Sequence, residues 1–271
     1  MTPSNLDVLA YRDSPIGNIC LRRRELLSRP GTIVTEITVD HMLLMSSYHT
    51  ASERALSSRA LARHGGTDGL RVLVGGLGLG YTAQEALKSA AVARVDVVEF
   101  LPQVIDWMKN GLVPLSDELN SEPRYSVMEG DVYAMLAAKP ELQYDLILVD
   151  VDHSPDEPLA DANAAFYTEA GLRSAREHLR PGGVLGVWSY ADSSPFADAV
   201  RAVFPHGEIS PMELDNELTG EEETIWLFLG VNDCLGLSQV PRDHVSSEEQ
   251  RDETLGVGVV SVVGVVGGRA A

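Results

Sequence analysis

Asp150, Asp152 and His153 place three titratable side chains in four positions, directly after the apolar run Leu146-Ile-Leu-Val149. A strand that ends in an acid presents it at the carboxyl edge of a sheet. Burial raises the pKa of such a group, and repulsion between two of them drives their values apart, so that one can serve as a base and the other as a charge anchor. Asp150 therefore reads as a general base. Asp152 reads equally as a second catalytic acid or as a cap of the following helix, and His153 as a proton-handling group or a solvated loop residue.

A base needs a ligand, and the string Arg71-Val-Leu-Val-Gly-Gly-Leu-Gly-Leu-Gly80 offers a place for one. Val72 to Val74 read as a buried strand, and Gly75, Gly76, Gly78 and Gly80 let the backbone turn sharply and approach a ligand without Cβ atoms in the way. A helix starting near Tyr81 or Thr82 would point its free N–H groups into that turn. Glu99 closes the next strand, Val95-Asp-Val-Val-Glu99, nineteen residues beyond Gly80. That is the spacing at which a carboxylate takes ribose hydroxyls. Asp131 follows a later strand, where it could bond an adenine amino group, cap the helix that starts at Val132, or do both. Tyr48 and His49 precede a helix and read either as site residues reaching in from the N-terminal segment or as ordinary interface residues. Trp188 and Tyr190 read as pocket wall or as core. GxSxG, HExxH and Walker-lysine patterns are missing from the sequence, which removes serine-hydrolase, zincin and P-loop readings.

These residues must be held by elements, and the hydrophobic periods supply them. Strand signals at Gly17 to Leu21, Thr32 to Val39 and Met42 to Met45 predict a small antiparallel sheet, with Arg22-Arg-Arg24 as a solvated turn or strand edge. A helix over Ala51 to Arg63, capped by Thr50 or Ser52 and ended by Gly65-Gly66, comes next. From Arg71 strands (71–75, 94–99, 124–128, 144–150, 183–188) alternate with helices (81–90, 102–109, 132–138, 166–179, 196–203). That rhythm predicts a mostly parallel sheet with helices on both faces and ligands at the carboxyl ends of its strands. Glu208 to Leu214 and Thr224 to Leu229, joined by an acidic loop, read as a closing antiparallel pair. The expected division is a β-domain over 1–48, a Rossmann-like domain over 49–232, and a tail over 233–271 without a packed core.

Composition narrows the partners. The 271 residues are 44% hydrophobic, and 21 Lys and Arg stand against 40 Asp and Glu, a net charge of −19. So acidic a surface repels phosphate backbones and anionic lipid, which argues against nucleic acid and membranes and favours cationic small molecules. Cys20 and Cys234 are far apart and match no metal-ligand spacing, so no metal is expected and a reducing compartment, the cytoplasm, is the default.

Val74-Gly-Gly-Leu-Gly-Leu-Gly80, Val98-Glu-Phe100, Glu129-Gly-Asp131, Tyr144 to Asp150, Phe166-Tyr167 and Leu179-Arg-Pro-Gly-Gly-Val184 together resemble the polyamine aminopropyltransferases, the spermidine synthase family, over about residues 10 to 230. The resemblance implies a class I methyltransferase-like Rossmann fold behind a small N-terminal antiparallel β-domain, and a homodimer. It implies that the glycine turn and Glu99 hold a nucleoside, that Asp131, with Val132 beside it, takes the adenine, and that Asp150 deprotonates an attacking amine under a lid running from Val151 to about Ala164. The family's glycine turn contains an acid that holds the amine of the donor; Leu77, Gly78 and Leu79 stand in the corresponding places here. Its Tyr-His-Glu signature is echoed by Tyr48-His49-Thr50, with Glu53 one helical turn further on.

The expected reaction is therefore transfer of an aminopropyl group from decarboxylated S-adenosylmethionine to a di- or polyamine, with Asp152, Glu53 or Asp156 holding the remote ammonium. Methyl transfer from intact S-adenosylmethionine is the alternative, favoured by loss of the acid from the glycine turn. A catalytically silent nucleoside binder is the third reading.

Overall fold

The computed structural model describes residues 5–216 and 221–233, so the expected tail lies outside the described residues apart from Asp233, as does most of the acidic loop near residue 218. Four strands, β1 (Leu6–Ser14), β2 (Gly17–Glu25), β3 (Ile33–Val39) and β4 (Met42–Ser46), form an antiparallel meander in sequence order. The sequence signals found β2 to β4 and missed β1. That edge strand exposes Leu6, Val8 and Tyr11, buries only Ala10, and slips register between Val8 and Ala10, so its apolar alternation is broken.

Arg22 and Arg24 are not a solvated turn or edge. They lie on the interior strand β2, where both bond Glu36 of β3, Arg22 Nε to Oε2 at 2.8 Å and Arg24 Nε to Oε1 at 2.7 Å. Glu36 is 1% exposed. A carboxylate that deep requires cationic partners, which explains a basic run in the middle of a sheet. Arg23 points the other way and donates to the Leu112 carbonyl at 3.0 Å, tying the small sheet to the larger layer.

Helix α1 (Ala51–His64) follows and ends as expected on Gly65, whose φ of 68° is left-handed. Thr50 makes no side-chain capping bond, its Oγ1 accepting instead from Arg54 Nε at 3.3 Å, and Ser52 donates to Glu53. The large sheet has seven strands in the order β10-β11-β9-β8-β5-β6-β7. These are β5 (Leu70–Gly75), β6 (Val92–Glu99), β7 (Tyr125–Glu129), β8 (Tyr144–Val149), β9 (Leu179–Ser189), β10 (Glu208–Asn216) and β11 (Glu221–Val231). β5 to β9 run parallel, and β11 pairs antiparallel with both β9 and β10. Between them lie α2 (Tyr81–Leu87), α3 (Pro102–Lys109), α4 (Ser116–Ser121), α5 (Val132–Ala137), α6 (Glu169–Glu177) and α7 (Ser194–Val203). The short acidic α4 had no readable period, and the helix expected from 166 begins at Glu169 after a 3-10 turn, Asp161–Ala165.

Period-two alternation sends the central strands' side chains to two apolar layers. Val72, Val74, Leu146 and Leu148 pack on one face, while Leu73, Ile147 and Val149 pack on the other. Each such side chain stabilises the fold by roughly 1.5–3 kcal/mol relative to exposure. Ile19, Leu21 and Ile37 of the small sheet join the first layer, so the junction expected at 48–49 is a link between sheets that share a core. The chain runs outward through β5, β6 and β7 and returns to β8 on the other side of β5. That reversal opens a crevice at the carboxyl ends of β5 and β8.

Candidate active site

The crevice is closed into a cavity of about 300 Å³ by the glycine turn below, the small sheet on one side and the segment after β8 on the other. Gly76 and Gly78 both have positive φ, 90° and 49°. A Cβ on Gly76 would lie 2.2 Å from the Asp150 carbonyl oxygen, so only glycine lets the turn pass beneath the end of β8. Gly75 ends β5 and Gly80 precedes α2; both frame the turn without lining the cavity.

Glu99 lines the cavity and is 7% exposed. Its Oε2 accepts from the Leu77 N–H at 2.8 Å and its Oε1 from the Leu101 N–H at 2.8 Å. Burial raises its pKa, and these N–H groups oppose the rise. Glu99 thus fixes the turn, and its remaining lone pairs are available to a ligand. Asp131 does cap α5, its Oδ1 accepting from the N–H groups of Tyr133 at 2.8 Å and Ala134 at 3.2 Å, and it also lines the cavity together with Val132.

Asp150 enters the cavity from the end of β8, and Thr82 of α2 donates its hydroxyl to Oδ2 at 2.6 Å. Thr82 is itself held by α1, because Ser57 Oγ donates to its carbonyl at 2.6 Å. Glu53, also on α1, lines the same cavity, is 9% exposed and accepts from Ser52 Oγ at 2.8 Å. Burial pushes Glu53 up to about 7, with Asp150 adding to the rise, and burial pushes Asp150 up to about 6 against the Thr82 hydrogen bond. No lysine or arginine is among the described residues that line the cavity.

Asp152 is placed differently. It is 3% exposed and saturated: Oδ2 accepts from the hydroxyls of Tyr133 at 2.7 Å and Tyr167 at 2.8 Å, and Oδ1 from the Leu159 N–H at 2.7 Å and Asn163 Nδ2 at 2.9 Å. Burial and the Asp152 charge hold both tyrosines well above their ordinary pKa, so they stay donors. This clasp pins residues 151–165 over the cavity. His153 lines the cavity half-buried, its ring edge toward Tyr190 at 6.2 Å. Asp156 is exposed, accepts from Ser193 Oγ at 2.9 Å and does not line the cavity. Nor do Tyr48 and His49, which pack edge to face on each other at 4.5 Å. Trp188 does line it, and Tyr190 does not.

The family model of the spermine/spermidine synthase domain matches residues 53–194, just over half of the chain, a stretch that includes the glycine turn, Glu99, Asp131, Asp150 and the clasp. The chain belongs to the spermine/spermidine synthase family. Among curated relatives of the family, polyamine aminopropyltransferase 2 of Pseudomonas aeruginosa is 30% identical over 136 residues, 49% of this chain and 38% of that protein. Polyamine aminopropyltransferase 2 of Streptomyces coelicolor is 34% identical over 119 residues, 43% of this chain and 21% of that protein. Putrescine N-methyltransferase 4 of Nicotiana tabacum is 32% identical over 115 residues, 42% of this chain and 28% of that protein. The matched stretches span less than half the length of these relatives. A spermidine synthase crystallised with the transition-state analogue AdoDATO has the same fold, with a TM-score of 0.65 at 17% identity over 83% of this chain and 73% of that one.

Within the family frame the altered glycine turn has a structural partner. A Cβ on Gly78 would meet the flexible end of the Met45 side chain, and the Leu79 N–H approaches its sulfur at 2.8 Å, so the Met45 thioether fills the space beside Gly78. Sequence reading missed Met45, Thr82 and the Asn163 and Tyr133 arms of the clasp. Thr82 alone left a signal, a hydroxyl in the first turn of the helix that follows a ligand loop.

Proposed function

We propose that this chain transfers an aminopropyl group from decarboxylated S-adenosylmethionine to an amine, with Asp150 as the general base. The observation that carries this reading is a cavity lined by Glu53, Glu99, Asp131, Asp150 and Asp152 with no lysine or arginine among its described lining residues. Such a site stabilises cations. A donor that has lost its carboxylate is more cationic than the intact one, whose carboxylate would meet Glu53 and Asp150 without a basic partner. Glu99 accepts from the ribose hydroxyls, and Asp131, beside Val132, accepts from the adenine amino group. Glu53 holds the donor's ammonium, the part that the family resemblance gives to an acid where Leu77, Gly78 and Leu79 stand here. Asp150, steered by Thr82, takes the proton of the attacking amine, and the clasped segment 151–165 excludes water.

Methyl transfer from the intact donor is the second reading, favoured by the acid-free glycine turn and by the N-methyltransferase relatives. Purified protein, given the decarboxylated donor and a panel of primary amines, is expected to release methylthioadenosine. Asp150→Asn should lower that rate by about 10²–10⁴ while donor affinity stays within about threefold. Tight binding of intact S-adenosylmethionine with no methylthioadenosine from any amine would reject the proposal.

A further inference from the structure

The acceptor can be narrowed further, on the assumption that aminopropyl transfer is the reaction. Of the five carboxylates in the cavity, three are committed elsewhere. Glu99 fixes the glycine turn and faces the nucleoside end, Asp131 caps α5 at that same end, and Asp152 has both oxygens filled by the clasp. Asp150 and Glu53 remain, each with one hydroxyl partner. Aminopropyl transfer onto a diamine brings three amine nitrogens into the site: the donor's terminal group, the attacking nitrogen and the acceptor's far end. Two carboxylates serve two of them.

The far end would have to rest on what is left. The small sheet contributes Ile37, Leu44 and Met45 to the cavity, and its β1–β2 turn contributes Ile16, with no charged side chain among them. A second ammonium desolvated there without a counter-charge is disfavoured, whereas methylenes are favoured. We propose that the acceptor is a primary monoamine with an apolar body, its nitrogen at Asp150 and its body against Ile16, Ile37, Leu44 and Met45. The nitrogen lone pair attacks the methylene beside the sulfonium. The carbon–sulfur bond breaks with its electron pair left on sulfur as a neutral thioether, and the nitrogen's proton passes to Asp150. The products are methylthioadenosine and an N-(3-aminopropyl)alkylamine.

The test compares hexylamine with 1,6-diaminohexane, matched in length, using the full chain and decarboxylated S-adenosylmethionine. Hexylamine should show at least a tenfold higher kcat/KM, rising about fourfold per added methylene until the cavity is filled. Leu44→Asp, at a half-buried position, should reverse the preference by placing an acid on the wall. Equal or better use of the diamine by the unaltered protein overturns the proposal, and an unchanged preference in Leu44→Asp overturns the placement of the acceptor body. If neither amine yields methylthioadenosine, the reaction reading fails, and calorimetry on protein loaded with methylthioadenosine judges the acceptor class alone. Tighter hexylamine then sustains it, and tighter diaminohexane overturns it.

Discussion

Two carboxyl groups that share a cavity without a cation between them resist joint ionisation. Glu53 rises from 4.5 to about 7 and Asp150 from 3.8 to about 6, chiefly through burial. Both folded-state values exceed the unfolded ones, so the native protein binds protons that the unfolded chain releases between about pH 4 and 7. The stability this pair contributes is complete below about pH 4 and is lost as pH rises through about 7. Glu53→Gln should therefore raise the thermal midpoint at pH 8 by about 2–4 °C, measured by calorimetry on the ligand-free protein. The same change removes a like charge from beside Asp150, so the rising limb of kcat against pH should move to lower pH by about one unit. An unmoved limb would show that Glu53 does not act on the base. Asp150 was legible because an acid closes an uninterrupted apolar run. Glu53 could be marked only as an acid near a signature, since its burial depends on how α1 packs over β8 and β9. Asp152 stayed ambiguous because its partners, at 133, 159, 163 and 167, converge only once the segment after β8 has folded back.

The segment 151–165 owes its position to that clasp more than to its own secondary structure, a single 3-10 turn. Asp152→Ala leaves four donors around a buried void and should lower unfolding free energy by at least about 3 kcal/mol, read from urea midpoints. Asp152→Asn keeps part of the network. It should raise KM more than it lowers kcat, with the pH midpoint of kcat unchanged, whereas a shifted midpoint would place Asp152 in proton transfer. Among the elements, those with a clean period were readable: β5, β6, β8, α1 and α3 lie close to their sequence signals. β1 and α4 were not, the first because an edge strand wears its apolar residues outside, the second because six residues with one buried leucine carry no period. The arginines of β2 misled for a related reason, since basic residues mark solvent unless a buried acid waits on the neighbouring strand, and Glu36 is fourteen residues away.

At the scale of the molecule, strand rhythm gave the parallel sheet, and its reversal beside β5 located the cavity before any side chain was placed. What the rhythm could not give is how the small sheet meets that cavity, because Ile16, Ile37, Leu44 and Met45 belong to an element whose docking is a tertiary event. That docking sets the Met45 thioether and aliphatic surface beside the glycine turn, and on the proposed reading it leaves the donor's ammonium to Glu53. The preference of this cavity between the two donors can be read directly by isothermal calorimetry. Decarboxylated S-adenosylmethionine should bind at least about tenfold more tightly than the intact compound, a difference of about 1.4 kcal/mol. Equal affinity, or tighter binding of the intact donor, would contradict the account.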